Sequence, residues 1–198
     1  IYDKVIEMHP NYAPAYRAKS TAYLKSGDFI TWKRLMDKAV ALDPIAYLGY
    51  RGWCRYQFFR DYAGAIADLE RLDDLVDYDI GYSVNGDYHL QVARALCYKG
   101  LGEKEKAITI IENQLEAKGY DPGLYDYLHL GVLYFETGRY QKAKEAFHQQ
   151  SQRNELAENQ YYLGRLALHK SDRHAAQKHF QKALDAYRSG HQMQDAYT

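Results

Sequence analysis

The block from Tyr127 to Phe147 limits most strongly what this chain can fold into. It reads Tyr127-x2-Leu130-Gly131-x2-Tyr134, then Gly138, then Ala143-x3-Phe147. Its apolar residues recur at helical spacing on both sides of Gly138, so the block predicts two helices joined by a tight turn. Gly131 and Ala143 put small residues where the helices must touch, and large apolar side chains fill the turns between. The pattern returns along the chain as Ala65-x3-Leu69, Ala107-x3-Ile111 and Ala176-x3-Phe180, with Tyr23, Tyr56, Tyr98 and Tyr134 in one recurring place. The interval from Tyr23 to Tyr56 equals that from Ala143 to Ala176, and Pro10 to Pro44 is longer by a single position. A helix pair of this kind cannot bury its apolar face alone. Stacking on the next pair removes that face from water, at about 25 cal/mol per Å² of apolar surface.

In chain order, residues 1–10 read as the end of a helix and a partial repeat, since the chain starts at Ile1 rather than Met and looks processed or excised. Repeat 1 spans 12–44, with helices at 12–26 and 29–42. Gly27 supplies the left-handed turn, Asp28 a cap, and Asp43-Pro44 the closure. Trp32, Met36 and Ala39 form its second helix's buried face. Repeat 2 spans 45–75, with helices at 45–59 and 61–75. There Trp53 falls in the place of the close-packing Gly, which should widen or tilt the pair, and Arg60 replaces the turn Gly. A long acidic connection follows at 76–87, carrying Asp77 and Asp79 after Asp73 and Asp74; it lacks the Gly and closing Glu of a calcium loop and reads as solvated. Repeat 3 spans 88–118. In it Arg94 stands at an apolar place, so either the first helix is rotated or the Arg94 stem packs along the surface. Repeat 4 spans 123–152, repeat 5 spans 156–189, and 190–198 reads as a frayed tail. Ser171 replaces the turn Gly of the last repeat.

The Tyr127-x2-Leu130-Gly131-x2-Tyr134…Gly138…Ala143-x3-Phe147 block resembles the tetratricopeptide repeat, a helix–turn–helix unit of fixed period, with Tyr127 for the usual Trp. The resemblance covers nearly the whole chain. It implies an all-α, right-handed α-solenoid of about five tandem repeats plus the partial N-terminal one, with the first helix of each repeat lining a concave groove. Carried over place by place, the groove would present Arg17, Thr21 and Lys25, then Tyr50, Cys54 and Gln57. Val92, Leu96 and Lys99 follow, then Leu128, Val132 and Phe135, and last Tyr161, Arg165 and His169. Family members bind extended or helical peptide segments there, and this set suits a partner with apolar anchors better than a highly charged one. The alternative is that Val92, Leu96, Leu128 and Val132 are core. Relatives that clamp the acidic C-termini of chaperones need paired Asn where Thr21 and Cys54 stand, which argues against that partner.

The 21 Tyr residues have two readings: repeat core, as at Tyr23 and Tyr134, or a binding surface of Tyr47, Tyr50, Tyr125 and Tyr161 able to stack on peptide aromatics or sugar rings. The expected function is therefore a non-catalytic protein-interaction scaffold, part of a larger protein. The alternatives are glycan or small-ligand binding through the Tyr-rich groove, and self-assembly through the array ends. A net charge of +0 argues against a nucleic-acid or anionic-membrane binder, and no apolar run is long enough to insert in a membrane. Two cysteines without a C-x-x-C pair fit a reducing compartment, favouring the cytoplasm and leaving export open. No cofactor or metal is expected: His169, His174 and His179 are spaced by five and do not share a helix face. Nucleophile elbows and phosphate loops are missing from the sequence.

Overall fold

The computed structural model describes residues 1–194. Among the described residues the regular elements are eleven α-helices and one π turn, with no strand. Their contacts divide into two compact units, residues 1–86 and the residues from Asp87 onward.

The first unit holds α1 (Tyr2–Met8), α2 (Ala13–Ser26), α3 (Phe29–Leu42), α4 (Pro44–Cys54) and α5 (Tyr62–Leu75), with the π turn Arg55–Phe59 prolonging α4. α2 packs on α3 and α4 on α5 as hairpins. Side chains of Asp28, Asp43 and Asp61 accept the N–H groups of Thr31, Ala46 and Gly64 at 3.0, 3.1 and 3.0 Å. Each cap answers one of the helix's unpaired donors and contributes about 1 kcal/mol. Asp43-Pro44 thus ends one repeat and opens the next: Asp43 caps α4 and Pro44 occupies its first turn. The core face of α3 is Trp32, Leu35, Met36, Ala39 and Val40, all buried. Arg60, at the turn where the first, third and fourth repeats have Gly27, Gly102 and Gly138, takes up the left-handed conformation at φ 52°.

The close-packing place of the second repeat corrects the sequence reading. Gly52 holds it, and Trp53 does not. A Cβ at Gly52 would lie 2.9 Å from Leu69 Cγ, just as one at Gly131 would lie 2.4 Å from Phe147 Cε1 and one at Gly164 2.6 Å from Phe180 Cε1. The intervals from Gly131 to Phe147 and from Gly164 to Phe180 are equal, whereas the interval from Gly52 to Leu69 is longer by a single position. The surplus residue is taken up by the π turn, which inserts one residue into the helix without ending it. Residues before the turn are therefore shifted by one place, and no widening is needed to seat Trp53.

Asp68 of α5, 3% exposed, is the hub of a charged network in this unit. Arg51 binds it through two parallel bonds, Nε–Oδ2 at 2.8 Å and Nη2–Oδ1 at 2.5 Å, and also reaches Asp37 of α3 at 2.8 Å. Arg55 adds a contact to Asp68 at 3.0 Å. Two guanidinium groups thus compensate one buried carboxylate. After α5 the chain is irregular through Gly86, with a turn closed by Gly86 N–H donating to Ser83 C=O at 2.8 Å.

The second unit holds α6 (Leu90–Gly100), α7 (Lys104–Glu116), α8 (Asp126–Glu136), α9 (Tyr140–Arg153), α10 (Ala157–His169) and α11 (Arg173–Arg188). They pack as the hairpins α6/α7, α8/α9 and α10/α11. Fully buried Ala95 precedes Ile111 by the same interval as Gly131 precedes Phe147, so α6 keeps the common register. Arg94 is accordingly half-buried with its stem packed, the second of the two readings. At the start of α8, buried Asp126 accepts from Gly123 N–H at 2.8 Å and from the Tyr120 hydroxyl at 2.6 Å, holding the preceding loop. Buried Gln150 accepts from Leu128 N–H and donates to Leu124 C=O, tying α9 to the start of α8. Ser171 adopts φ 60° at the last turn.

Of the segment expected to fray, residues 190–194 are described and 195–198 lie outside the described residues. After a turn at Gly190 the backbone crosses the first turn of α10. His191 C=O accepts from Ala157 N–H at 2.8 Å, Met193 N–H donates to Glu158 at 3.1 Å, and Gln194 N–H donates to the Tyr125 hydroxyl at 3.3 Å.

Candidate functional site

In the first unit the structure gathers four of the expected residues. The Arg17 guanidinium of α2 lies 4.5 Å over the Tyr50 ring of α4. Thr21 and Cys54 adjoin Tyr50, and burial pushes the Tyr50 hydroxyl up to about 12. Cys54 is fully buried, and burial pushes its thiol up to about 12, so it stays a protonated core residue. The register shift explains its position. Cys54 stands next but one after Gly52, as Cys97 stands after Ala95 and Leu133 after Gly131, and all three are 0% exposed. Tyr47, half-buried and raised by burial, lies one turn earlier on α4. Lys25 is exposed in the last turn of α2, and Gln57 sits in the middle of the π turn.

In the second unit the expected residues divide by depth. Val92, Leu96, Tyr125, Leu128 and Val132 are buried at 0%, 7%, 8%, 3% and 7% exposure. They form the floor beneath the surface and offer little contact area. Lys99 is half-buried and lies 3.7 Å from Glu136, which Lys104 also holds at 3.0 Å. Burial pulls the Lys99 ammonium down from its ordinary value and Glu136 acts against that. Above this floor Phe135, Arg165, Tyr161 and His169 remain reachable. The Arg165 guanidinium lies 4.6 Å over Phe135, 5.7 Å over Tyr162 and 5.9 Å over Tyr161. His169 packs on Tyr140 with ring centroids 3.8 Å apart. Arg165 has no carboxylate at ion-pair distance among the described residues, so aromatic faces are its main local partners; such contacts are worth about 0.5–2 kcal/mol each.

Tyr162, Tyr140 and Glu136 belong to this cluster and were not anticipated. The available signal was positional: Tyr162 follows His129 by the interval that separates Ala143 from Ala176, and so holds the same place in the next repeat. His129 itself faces the Tyr88 hydroxyl at 3.3 Å, and burial, reinforced by Lys99, holds its imidazole down to about 3, so it is neutral. His169, His174 and His179 do not converge, and among the described residues no three His, Cys, Asp or Glu side chains come together as a metal site. Among the described residues neither Cys54 nor Cys97 forms a disulfide, and both are buried. No described helix is long and apolar enough to cross a membrane.

Repeated helical hairpins with a small residue at the crossing define a helical-repeat fold. A tetratricopeptide-repeat family model matches residues 88–120 and 127–155, the third and fourth repeats. Among solved structures the chain is similar to MamA of Desulfovibrio magneticus RS-1, at 20% identity and TM-score 0.72, covering 89% of this chain and 96% of that one. It is likewise similar to PilF of Pseudomonas aeruginosa, at 18% identity and TM-score 0.73, covering 94% and 82%. YrrB, described as a tetratricopeptide-repeat protein with an unusual peptide-binding site, matches at 19% identity and TM-score 0.70, covering 93% and 91%. No curated protein sequence matches the chain. The fold is the all-α helical-repeat fold of these tetratricopeptide-repeat structures, as the resemblance implied.

Proposed function

We propose that this chain is a non-catalytic protein-interaction scaffold that holds a peptide segment of a partner protein on the first helices of its repeats. The observation that carries the reading is Arg165: an exposed cation spread over Phe135, Tyr161 and Tyr162, with no carboxylate neutralising it among the described residues. Tyr and Arg are the residues that most often anchor binding energy: Tyr offers a large rigid face at low entropic cost, and Arg a planar guanidinium that both stacks and pairs. A partner aromatic or carboxylate could replace water on this surface without breaking a pre-existing ion pair. Arg17 on Tyr50 repeats the same chemistry in the first unit. The fold supports the reading, and the peptide-binding site described for YrrB is a parallel in a protein of the same fold.

The test compares the intact chain with a Tyr50→Ala/Tyr161→Ala variant on peptide and glycan arrays and in affinity capture. The expected result is a peptide set bound by the intact chain and lost in the variant. Equal capture by both proteins would remove the proposed surface, and binding to glycans alone would replace the partner class.

A further inference from the structure

A second concave feature lies away from the Arg165 cluster and shares with it only the ring of Tyr140. α9, α10 and α11 enclose a cleft of about 410 Å³. Leu163 and Leu166, buried at 5% and 4%, form its apolar floor. Lys144 and His148, one turn apart, rise from α9, Lys170 caps the end of α10, and His179 faces from α11. The one carboxylate in the lining, Asp172, is engaged: it accepts from Ala175 N–H at 2.9 Å as the cap of α11. His179 is fixed by a 2.7 Å bond from its Nδ1 to Gln160, whose own amide donates to Glu155 at 2.6 Å.

The charge pattern is what distinguishes this cleft. Lys142, next but one to Lys144, is paired with Glu112 at 3.2 Å, and Lys104 with Glu136 at 3.0 Å. Lys144 and Lys170 are exposed and have no carboxylate at ion-pair distance among the described residues. Two uncompensated ammonium groups therefore stand on the rim of an apolar floor, beside two imidazoles. The chain as a whole is neutral, so this concentration of positive charge is local. An occupant that complements it must bring carboxylates at its edges and an apolar group at its centre.

We propose that this cleft binds an acidic peptide segment of a partner protein. Carboxylates of the segment meet Lys144 and Lys170, and an apolar side chain lies over Leu163 and Leu166. The site is separate from the surface of the proposed function, and a scaffold with both would hold two segments at once.

The experiment uses the full chain and fluorescence anisotropy with a labelled peptide of alternating Asp and Leu. Its counterparts are a Lys/Leu peptide of the same length, inorganic phosphate and phosphatidylserine vesicles. The acidic peptide binds, and the basic one does not. Lys144→Glu/Lys170→Glu weakens binding about tenfold or more, because like charges then face each other. Lys144→Gln/Lys170→Gln, which only neutralises the rim, gives a smaller loss in the same direction and serves where charge reversal disturbs folding. Arg165→Ala/Tyr161→Ala leaves this affinity unchanged, which separates the cleft from the Arg165 cluster. The proposal is overturned if acidic and basic peptides bind alike or if the Lys144 and Lys170 variants bind as the parent does. It is equally overturned if phosphate or vesicles bind at the cleft while the peptide does not.

Discussion

Replacing Gly131 by Ala sets two effects of opposite sign against each other. Gly131 lies within α8, where helix propensity alone makes Ala more stable than Gly by about 1 kcal/mol. Packing opposes this. The new Cβ would stand 2.4 Å from Phe147 Cε1 and 2.6 Å from Cδ1. That is more than about 1 Å inside the separation at which carbon atoms attract. The ring has little room to yield: Phe147 is fully buried and stacks on Tyr162 at 5.4 Å. Overpacking of this kind costs about 1–3 kcal/mol, and the rigidity of the ring puts it near the top of that range. The net expectation is a loss of about 2 kcal/mol, which for a chain of this size lowers the midpoint by roughly 4–8 °C. Thermal and urea unfolding followed by circular dichroism read the effect. Adding Phe147→Leu should return part of the loss, since it makes room for the methyl. Gly52→Ala should cost less, because its closest approach, to Leu69 Cγ, is 2.9 Å and the overlap is about 0.5 Å shallower. A gain in stability for Gly131→Ala, or strict additivity with Phe147→Leu, would refute the argument that this glycine is needed for close approach.

Asp68→Ala leaves Arg51 and Arg55 facing an empty buried site and should cost about 3–5 kcal/mol in urea unfolding; a loss below about 1 kcal/mol would reduce the network to a surface pair. His129 is neutral in the folded state, with its pKa lowered to about 3, whereas the unfolded chain takes up a proton near the ordinary 6.5. Its contribution is therefore complete above about pH 6.5 and declines as pH falls toward 3. His129→Gln should flatten the stability difference between about pH 7 and about pH 4.5, and an unchanged acid slope would count against the assignment. Deleting Gln57 shortens the π turn by one residue and rotates α4 by about 100° against α5, bringing Trp53 toward Leu69. Helix content by circular dichroism should persist while the unfolding midpoint drops, and a midpoint equal to the parent's would show that the insertion carries no register.

The sequence by itself determined where helices run and where they stop. Those signals are local: apolar side chains at spacings of three and four, Asp before a helix and Gly after it, all within one or two turns of chain. The recurrence of small residues at a nearly constant interval told which helices touch. It was also enough for the α-helical repeat fold. Features that depend on residues far apart, or on single-residue offsets, emerged only in the folded chain. The π turn left the interval between Tyr23 and Tyr56 at the regular period and so hid the shift that makes Gly52, and not Trp53, the packing residue. Val92, Leu96, Leu128 and Val132 are apolar at places that could face either water or core, and their depth was set by what packs over them. The Arg51–Asp68 network and the rings around Arg165 join side chains from different helices; Phe135 and Arg165 even belong to different repeats. Helix periodicity carries no information about such pairs, because it fixes the face a side chain leaves from and not the partner it meets.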